Sequence, residues 1–319
     1  MIVDDNRSLP VVRVADIVTE ENPRRWMIDP LWGASAVGVI GGPPKCSKTW
    51  LALDISLSVA TGTACLDRYE VPRPGPVLVY LAEDSLAIVR ERVEGIARHR
   101  SLPLDSVPLH VITAPVLRLD RQPHRTQLLE TARRLRPRLV LLDPLVRLHG
   151  IDENHAGEVA QLLAYFRSLQ RELDLSVILV HHTRKNAAGG TAAGLGLRGS
   201  SDIHAFGDSN LYLRRTGERL LLSSEHRAAA AARSVYLELV ATDAKTTASA
   251  IRACAPPWSI ASNRSAGSML PVRRRRRPLN RWRWRRAVQT WLRQLATRAT
   301  SPVCWVRQRS VTALPGCSA

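Results

Sequence analysis

The segment that most constrains the fold is an octapeptide that joins a short apolar run to an apolar pattern of helical period. The run covers residues 36–40, and the helical pattern begins at Trp50. Strand, tight loop and helix in this order are the setting of a phosphate-binding loop, because unpaired amides at a helix start lie at the positive end of its dipole. The residues predicted to bind phosphates are Gly42, Pro43, Pro44, Lys45, Cys46, Ser47, Lys48, Thr49 and Trp50.

Two side chains in this loop have predicted roles. Lys48 is expected to reach the β- and γ-phosphates of a nucleoside triphosphate, and the Thr49 hydroxyl is expected to bind Mg²⁺. Ser47 departs from the usual pattern, which has glycine at this position. Its Cβ would either crowd the phosphate or require a backbone φ that serine tolerates poorly. We therefore expect nucleotide binding and leave the rate of hydrolysis open.

Beyond the loop, short apolar strands alternate with amphipathic helices. This alternation predicts an α/β fold with a mostly parallel sheet and helices on both faces. Later strands separated by a turn predict an antiparallel β-hairpin that extends the sheet. The predicted strands are 36–40, 77–81, 109–112, 139–142, 176–180, 209–214, 219–224 and 234–240, and the predicted helices are 48–60, 86–98, 126–135 and 157–173.

Chemically useful side chains follow three of the predicted strands. Because ligands bind beyond the carboxyl ends of parallel strands, we expect these side chains to gather beside the loop. Asp143 is predicted to hold Mg²⁺ opposite Thr49. Glu83 is predicted to orient and deprotonate an attacking water, with its neighbour Asp84 as the alternative.

Three further groups are weaker candidates. His181 or His182 could donate a hydrogen bond to a γ-phosphate. Arg198, in a loop rich in glycine and alanine, and Arg227, after the hairpin, could each reach the nucleotide of a neighbouring subunit. Arg198 could instead contact a nucleic-acid phosphate. Among the aromatic residues of the lead-in segment, Trp26 or Trp32 could shield an adenine ring, although core packing is the more common role.

Charge and composition change near residue 254. Residues 254–319 contain 14 arginines, five of the eight tryptophans, and no Lys, Asp, Glu, Phe or Tyr, whereas the rest of the chain holds 32 basic and 28 acidic residues. One interpretation is a nucleic-acid arm, with arginine on phosphates and tryptophan on bases. The other is a degenerate tail produced by a reading-frame slip near 244–256. Such a composition cannot bury a normal core, which predicts disorder.

With these motifs in place, the chain resembles the RepA-like branch of the RecA-type P-loop ATPases, which are hexameric replicative helicases. The resemblance covers roughly residues 24–240. It is carried by the phosphate-binding loop with Gly41, by 80–83, 139–143, 180–185 and 198–201, and by 225–227. It implies a RecA-like core, ATP and Mg²⁺ as cofactors, a homo-oligomeric ring, and single-stranded DNA as the partner. It also implies that Glu83 is the catalytic carboxylate, Asp143 the metal-binding acid, and His182 or His181 the γ-phosphate sensor.

The resulting domain prediction has three parts: a lead-in segment at 1–35, an ATPase domain at 36–243, and the Arg/Trp-rich tail at 244–319. No apolar stretch approaches the length of a membrane span, and the five scattered cysteines fit free thiols, so we expect no membrane partner and a cytoplasmic location. Two other functions stay open. They are a RecA/RadA-like recombination or repair ATPase that forms filaments, and a non-catalytic nucleotide-binding regulator.

Overall fold

A mixed sheet of nine strands forms the centre of what the computed structural model describes, which is residues 11–17, 25–153, 155–182, 201–240 and 250–255. A two-stranded ribbon precedes this sheet in the chain. The strands are β1 (Trp26–Ile28), β2 (Trp32–Gly33), β3 (Val37–Gly42), β4 (Val77–Leu81), β5 (Leu109–Val111), β6 (Leu139–Asp143), β7 (Ser176–His182), β8 (Ser209–Thr216), β9 (Arg219–His226), β10 (Val235–Val240) and β11 (Ala250–Cys254).

The spatial order of the sheet is β11-β10-β9-β8-β3-β7-β6-β4-β5. All pairs from β8 through β3 to β5 are parallel, and all pairs from β8 to β11 are antiparallel. The central strands are buried on both sides and therefore read as continuous apolar runs. The predicted parallel sheet with an antiparallel extension is confirmed.

Helices cover both faces of this sheet, as predicted. One face is called here the α1 face, after the first helix, α1 (Lys48–Thr61), and it shares a buried apolar cluster with the first two helices. The opposite face shares a second cluster with the other three helices. The helices are α1 (Lys48–Thr61), α2 (Leu86–His99), α3 (Gln122–Leu135), α4 (Ala156–Leu173) and α5 (Ser201–Phe206).

α1 is buried on nearly every side because the sheet, α2 and β11 all pack against it. It ends at Gly62, whose φ of 76° is the left-handed conformation that glycine adopts readily. Its buried carboxylate, Asp54, pairs with Arg100 and accepts a 2.8 Å hydrogen bond from the Leu66 amide. This network joins α1 to the end of α2, and removing one partner would leave a buried charge uncompensated.

The parallel registers bring the carboxyl ends of β3, β4, β6 and β7 to one edge of the sheet. Gly42 pairs with His182, and Leu81 pairs with Asp143. β8 runs parallel to β3 on its other side, so the turn between β8 and β9 lies at the same edge. This edge, called here the catalytic edge, therefore holds the predicted phosphate-binding loop and the predicted acidic and imidazole groups.

The sheet continues beyond residue 243, where the sequence placed the end of the ATPase domain. β11 pairs antiparallel with β10, and its Ile251 is buried in the cluster of the α1 face. The lead-in segment also contributes to that cluster, through Met27 and Trp32. The contribution of β11 was not predicted, whereas core packing was one of the two roles considered for Trp32. The tail from residue 256 onward and the loop 183–200 lie outside the described residues.

In the described part of the chain, no helix is both long and apolar enough to cross a membrane.

Candidate functional site

The backbone of the phosphate-binding loop is left-handed at two residues. Lys45 and Ser47 have φ values of 61° and 65°, in the left-handed region. Ser47 therefore adopts the conformation for which glycine is usual at this position, at a cost of roughly 1–2 kcal/mol for a residue with a Cβ. At Gly42 a Cβ would lie 2.5 Å from the Leu213 carbonyl oxygen and 2.8 Å from the Cys46 Sγ, so only glycine fits there.

Lys48 lies beneath this loop. Its side chain is buried, and its Nζ donates hydrogen bonds to the carbonyl oxygens of Gly42 at 3.0 Å and Pro43 at 2.8 Å. Burial lowers the pKa of Lys48, while nearby Cys46 and Asp143 oppose this shift. Burial also raises the pKa of the Cys46 thiol, so Cys46 acts as a small packing residue in the loop.

The predicted metal ligands meet directly. The Thr49 hydroxyl donates a 2.7 Å hydrogen bond to the Asp143 carboxylate, which is buried. Burial raises the pKa of Asp143 to about 6, although the Thr49 hydrogen bond and the Lys48 charge lower it. A hydroxyl and a carboxylate are hard oxygen donors of the kind that Mg²⁺ prefers, so these two residues fit a magnesium site.

The two acidic residues after β4 have different surroundings. Glu83 is exposed and accepts a 2.9 Å hydrogen bond from Arg147 Nε. Asp84 is mostly buried in an ion pair with Arg92, whose guanidinium lies 5.8 Å from the centre of the Trp50 ring. Asp84 and Trp50 thus take part in the contact between α1 and α2, whereas Glu83 is open to solvent beside the loop.

The two histidines at the end of β7 point to opposite faces of the sheet. Ile178 and Val180 belong to the cluster of the α1 face, so His182, two residues further, shares that face with the phosphate-binding loop. His181 points to the other face, is buried, and has its Nδ1 4.0 Å from Glu153. Geometry therefore favours His182 over His181 as the group that faces a nucleotide.

Arg227 does not lie at the catalytic edge of its own chain. Arg227 follows β9, beside Asp208 at the opposite edge of the sheet, and its Nη2 donates to the carbonyl oxygens of Ala205 at 2.8 Å and Phe206 at 3.1 Å. Arg198 lies outside the described residues. The placement of Arg227 is compatible with a role at a neighbouring subunit, and for both arginines this role stays a prediction.

Neither tryptophan of the lead-in segment lies near the loop. Trp32 is fully buried in the core. Trp26 contacts His226 edge to face, with ring centroids 5.1 Å apart, at the edge of the sheet where β3 begins. The interpretation of these residues as an adenine shield is wrong, and both are packing residues.

Sequence reasoning missed the partners of the acidic groups. Arg147 lies 64 residues from Glu83, and Glu153 lies 28 residues before His181; both meet their partners only because β6 is flanked by β4 and β7. The only local signal is that Arg147 and Glu153 are charged residues in the short segment that follows Asp143 at the end of a buried strand.

Comparison with known proteins places this architecture in a family. A family model described as an AAA domain matches residues 5–188, which is more than half of the chain. The chain belongs to the AAA domain family. Together with the parallel sheet and the loop geometry, this membership makes it a RecA-like P-loop ATPase.

Two solved structures are similar to this AAA domain protein. The RadB recombinase is 16% identical, with a TM-score of 0.49 over 65% of this chain and 88% of that chain. A DnaB-like replicative helicase, described with its interactions with primase, is 14% identical, with a TM-score of 0.50 over 65% of this chain and 56% of that chain. At this identity, the likeness to the DnaB-like helicase shows the fold alone.

Proposed function

We propose that this AAA domain protein hydrolyses ATP with Mg²⁺ and couples hydrolysis to movement on single-stranded DNA, as a RepA-like helicase. The observation that carries the proposal is the gathering of five predicted residues at the catalytic edge. Lys48 lies under the loop, Thr49 contacts Asp143, and His182 projects from the strand next to the loop. Glu83 stands beside them with its carboxylate exposed.

Each residue has a distinct part in this proposal. Loop amides and Lys48 bind the phosphates, and Thr49 with Asp143 would hold Mg²⁺, which supplies positive charge against the phosphate oxygens. Glu83 is the base that accepts a proton from the attacking water. Its ion pair with Arg147 is exposed, and such pairs contribute about 0–1 kcal/mol, so Glu83 can leave it at little cost.

ATP turnover with and without single-stranded DNA tests this function. We expect DNA to stimulate turnover of the intact chain, Lys48→Ala to abolish it, and Glu83→Gln to keep nucleotide binding while losing turnover. Asp84→Asn is the matched control, because it removes the neighbouring carboxylate and should leave most activity. If Asp84→Asn abolishes turnover and Glu83→Gln does not, the base is misassigned. If DNA leaves turnover unchanged, the helicase function fails while the ATPase stands.

One observation favours a second function, that of a nucleotide-binding regulator with little turnover. Ser47 carries a Cβ in a left-handed conformation within the loop, where it can crowd the phosphates. A regulator would bind ATP with Mg²⁺ and release no phosphate above background, with or without DNA. The same turnover measurement therefore separates the two functions.

A further inference from the structure

The strand β8 passes directly beside the phosphate-binding loop. It pairs with β3 at Ile40–Leu211 and Gly41–Tyr212, and the Leu213 carbonyl oxygen lies 2.5 Å from the position that a Cβ on Gly42 would take. The two residues that follow Leu213 therefore lie next to the loop itself. They are Arg214 and Arg215, and both are exposed.

These two arginines differ in the face that they occupy. Leu211 and Leu213 belong to the buried cluster of the α1 face, which also contains Cys46 of the loop. Side chains alternate along a strand, so Arg215 continues that face and Arg214 points to the other. The regular pairing of β8 with β9 supports this, because Arg215 is opposite Leu220, another member of the same cluster.

Arg215 is close enough to the loop for an electrostatic interaction with Cys46. Its positive charge lowers the pKa of the Cys46 thiol, against the larger effect of burial. Among the residues that the structure describes, neither the Arg214 nor the Arg215 guanidinium has a hydrogen-bond or ion-pair partner, so the Arg215 side chain is available to a ligand.

The order of the strands decides which end of a nucleotide would reach β8. Thr49–Asp143, the pair that would hold Mg²⁺, and His182 lie on the β7 and β6 side of β3, and Mg²⁺ held there would supply positive charge against the terminal phosphates. The γ-phosphate therefore belongs on that side. β8 flanks β3 on the other side, so the nucleoside end of the ligand leaves the loop toward β8.

We propose that Arg215 binds the α-phosphate of the nucleotide held by its own chain. The ligand class is a nucleoside di- or triphosphate, and the planar guanidinium is suited to paired hydrogen bonds with phosphate oxygens. This inference rests on the proposed nucleotide site and deepens it, because it assigns a contact that is independent of the γ-phosphate.

Calorimetric titration of the full chain with ADP and with ATP, both with Mg²⁺, tests this assignment. Arg215→Ala should weaken both nucleotides by a similar factor, about tenfold, which is the effect of losing one charged hydrogen-bonded contact. Arg214→Ala is the matched control, since it removes the same charge one residue away on the other face, and should change affinity less than twofold. Arg215→Lys should recover part of the loss, and thermal unfolding should show all variants folded.

Three results would overturn the assignment. Equal affinities of Arg215→Ala and Arg214→Ala would show that Arg215 makes no specific contact. A loss for ATP much larger than the loss for ADP would place Arg215 at the γ-phosphate instead. If the unaltered chain binds neither nucleotide, the proposed nucleotide site itself fails, which the first two results would not imply.

Discussion

At the scale of single residues, Ser47 is the feature that most sets this loop apart. Its left-handed backbone costs about 1–2 kcal/mol with a Cβ present, whereas glycine would lose about 0.5–1 kcal/mol through its greater freedom in the unfolded chain. Ser47→Gly should therefore raise the free energy of unfolding by about 0.5–1 kcal/mol, as measured by urea denaturation. Ser168→Gly within α4 is the control, and should lower it by about 0.5 kcal/mol. A destabilised Ser47→Gly variant would contradict this account of the loop.

Asp143 gives a prediction of pH dependence at the same scale. Its pKa is about 6 in the folded chain and about 4 in the unfolded chain. Between these values the folded state binds more protons, so the contribution of Asp143 to the free energy of unfolding falls as pH rises. Without Mg²⁺, the stability of Asp143→Asn relative to the unaltered chain should thus increase from pH 4 to pH 7, by at most about 3 kcal/mol.

The measurement is urea denaturation of both proteins across that pH range, with a chelator present. Taking the difference between the two proteins cancels the titration of all other groups. A stability difference that does not change with pH would show that the Asp143 charge is not penalised by its surroundings. Loss of the difference on adding Mg²⁺ would support these oxygens as metal ligands.

At the scale of elements, β11 defines how far the folded domain extends. A chain ending at residue 249 would lose the buried Ile251 and would leave β10 without its β11 partner. A chain ending at residue 255 would keep Ile251 and the pairing of β10 with β11. Burying one isoleucine contributes about 1.5–3 kcal/mol, so we expect the shorter chain to be less stable by at least that amount. Thermal unfolding of the two chains checks this. Equal stabilities would show that β11 is dispensable.

β11 also bears on the hypothesis of a reading-frame slip. It pairs with β10 over all five of its residues, and its Ala250 and Ile251 are buried, so the reading frame suits the fold up to Cys254. A slip would therefore lie after Cys254, which narrows the interval of 244–256 that composition suggested. Sequencing of the coding DNA around this position tests the hypothesis.

The bounds of an element were predicted accurately where the residues within that element determine it, and less accurately where pairing with a distant strand determines it. β4 has the predicted bounds, because it is a continuous apolar run set off by prolines, a glycine and acidic residues. β7 extends two residues beyond the prediction, to His182, because parallel pairing with Gly41 and Gly42 holds polar residues in a strand. β11 was missed because its five mixed residues become a strand only through β10.

The candidate site shows the same division between residues with a local sequence signal and residues whose position depends on strand pairing. Lys48 and Thr49 were found from local spacing, and Asp143 from its position at a strand end. Whether His181 or His182 faces the loop depends on strand alternation, and the Glu83–Arg147 ion pair depends on the order of strands in the sheet. No pattern within a single segment contains that information.

At the scale of the whole molecule, the two edges of the sheet carry complementary groups. The catalytic edge holds the phosphate-binding loop, and Arg227 lies at the opposite edge, where it cannot reach the loop of its own chain. A head-to-tail ring or filament would bring the second edge of one subunit to the first edge of the next. If Arg227 acts across that interface, mixing Lys48→Ala chains with Arg227→Ala chains should restore part of the ATP turnover that each lacks alone.

Restoration would occur because some interfaces then pair an intact loop with an intact Arg227. A mixture that stays as inactive as its two components would contradict a role for Arg227 between subunits. Electron microscopy with ATP and single-stranded DNA separates the two assemblies, since closed rings support the helicase proposal and open filaments support a recombination-type ATPase.

Calorimetric titration of the folded chain with ADP and Mg²⁺, beside Lys48→Ala, tests the central claim most directly. That claim is that the catalytic edge binds a nucleotide through its phosphates. We predict saturable binding at one site per chain and its loss in Lys48→Ala, with circular dichroism showing both proteins folded. Absence of heat with the unaltered chain, or equal binding by Lys48→Ala, would contradict the claim.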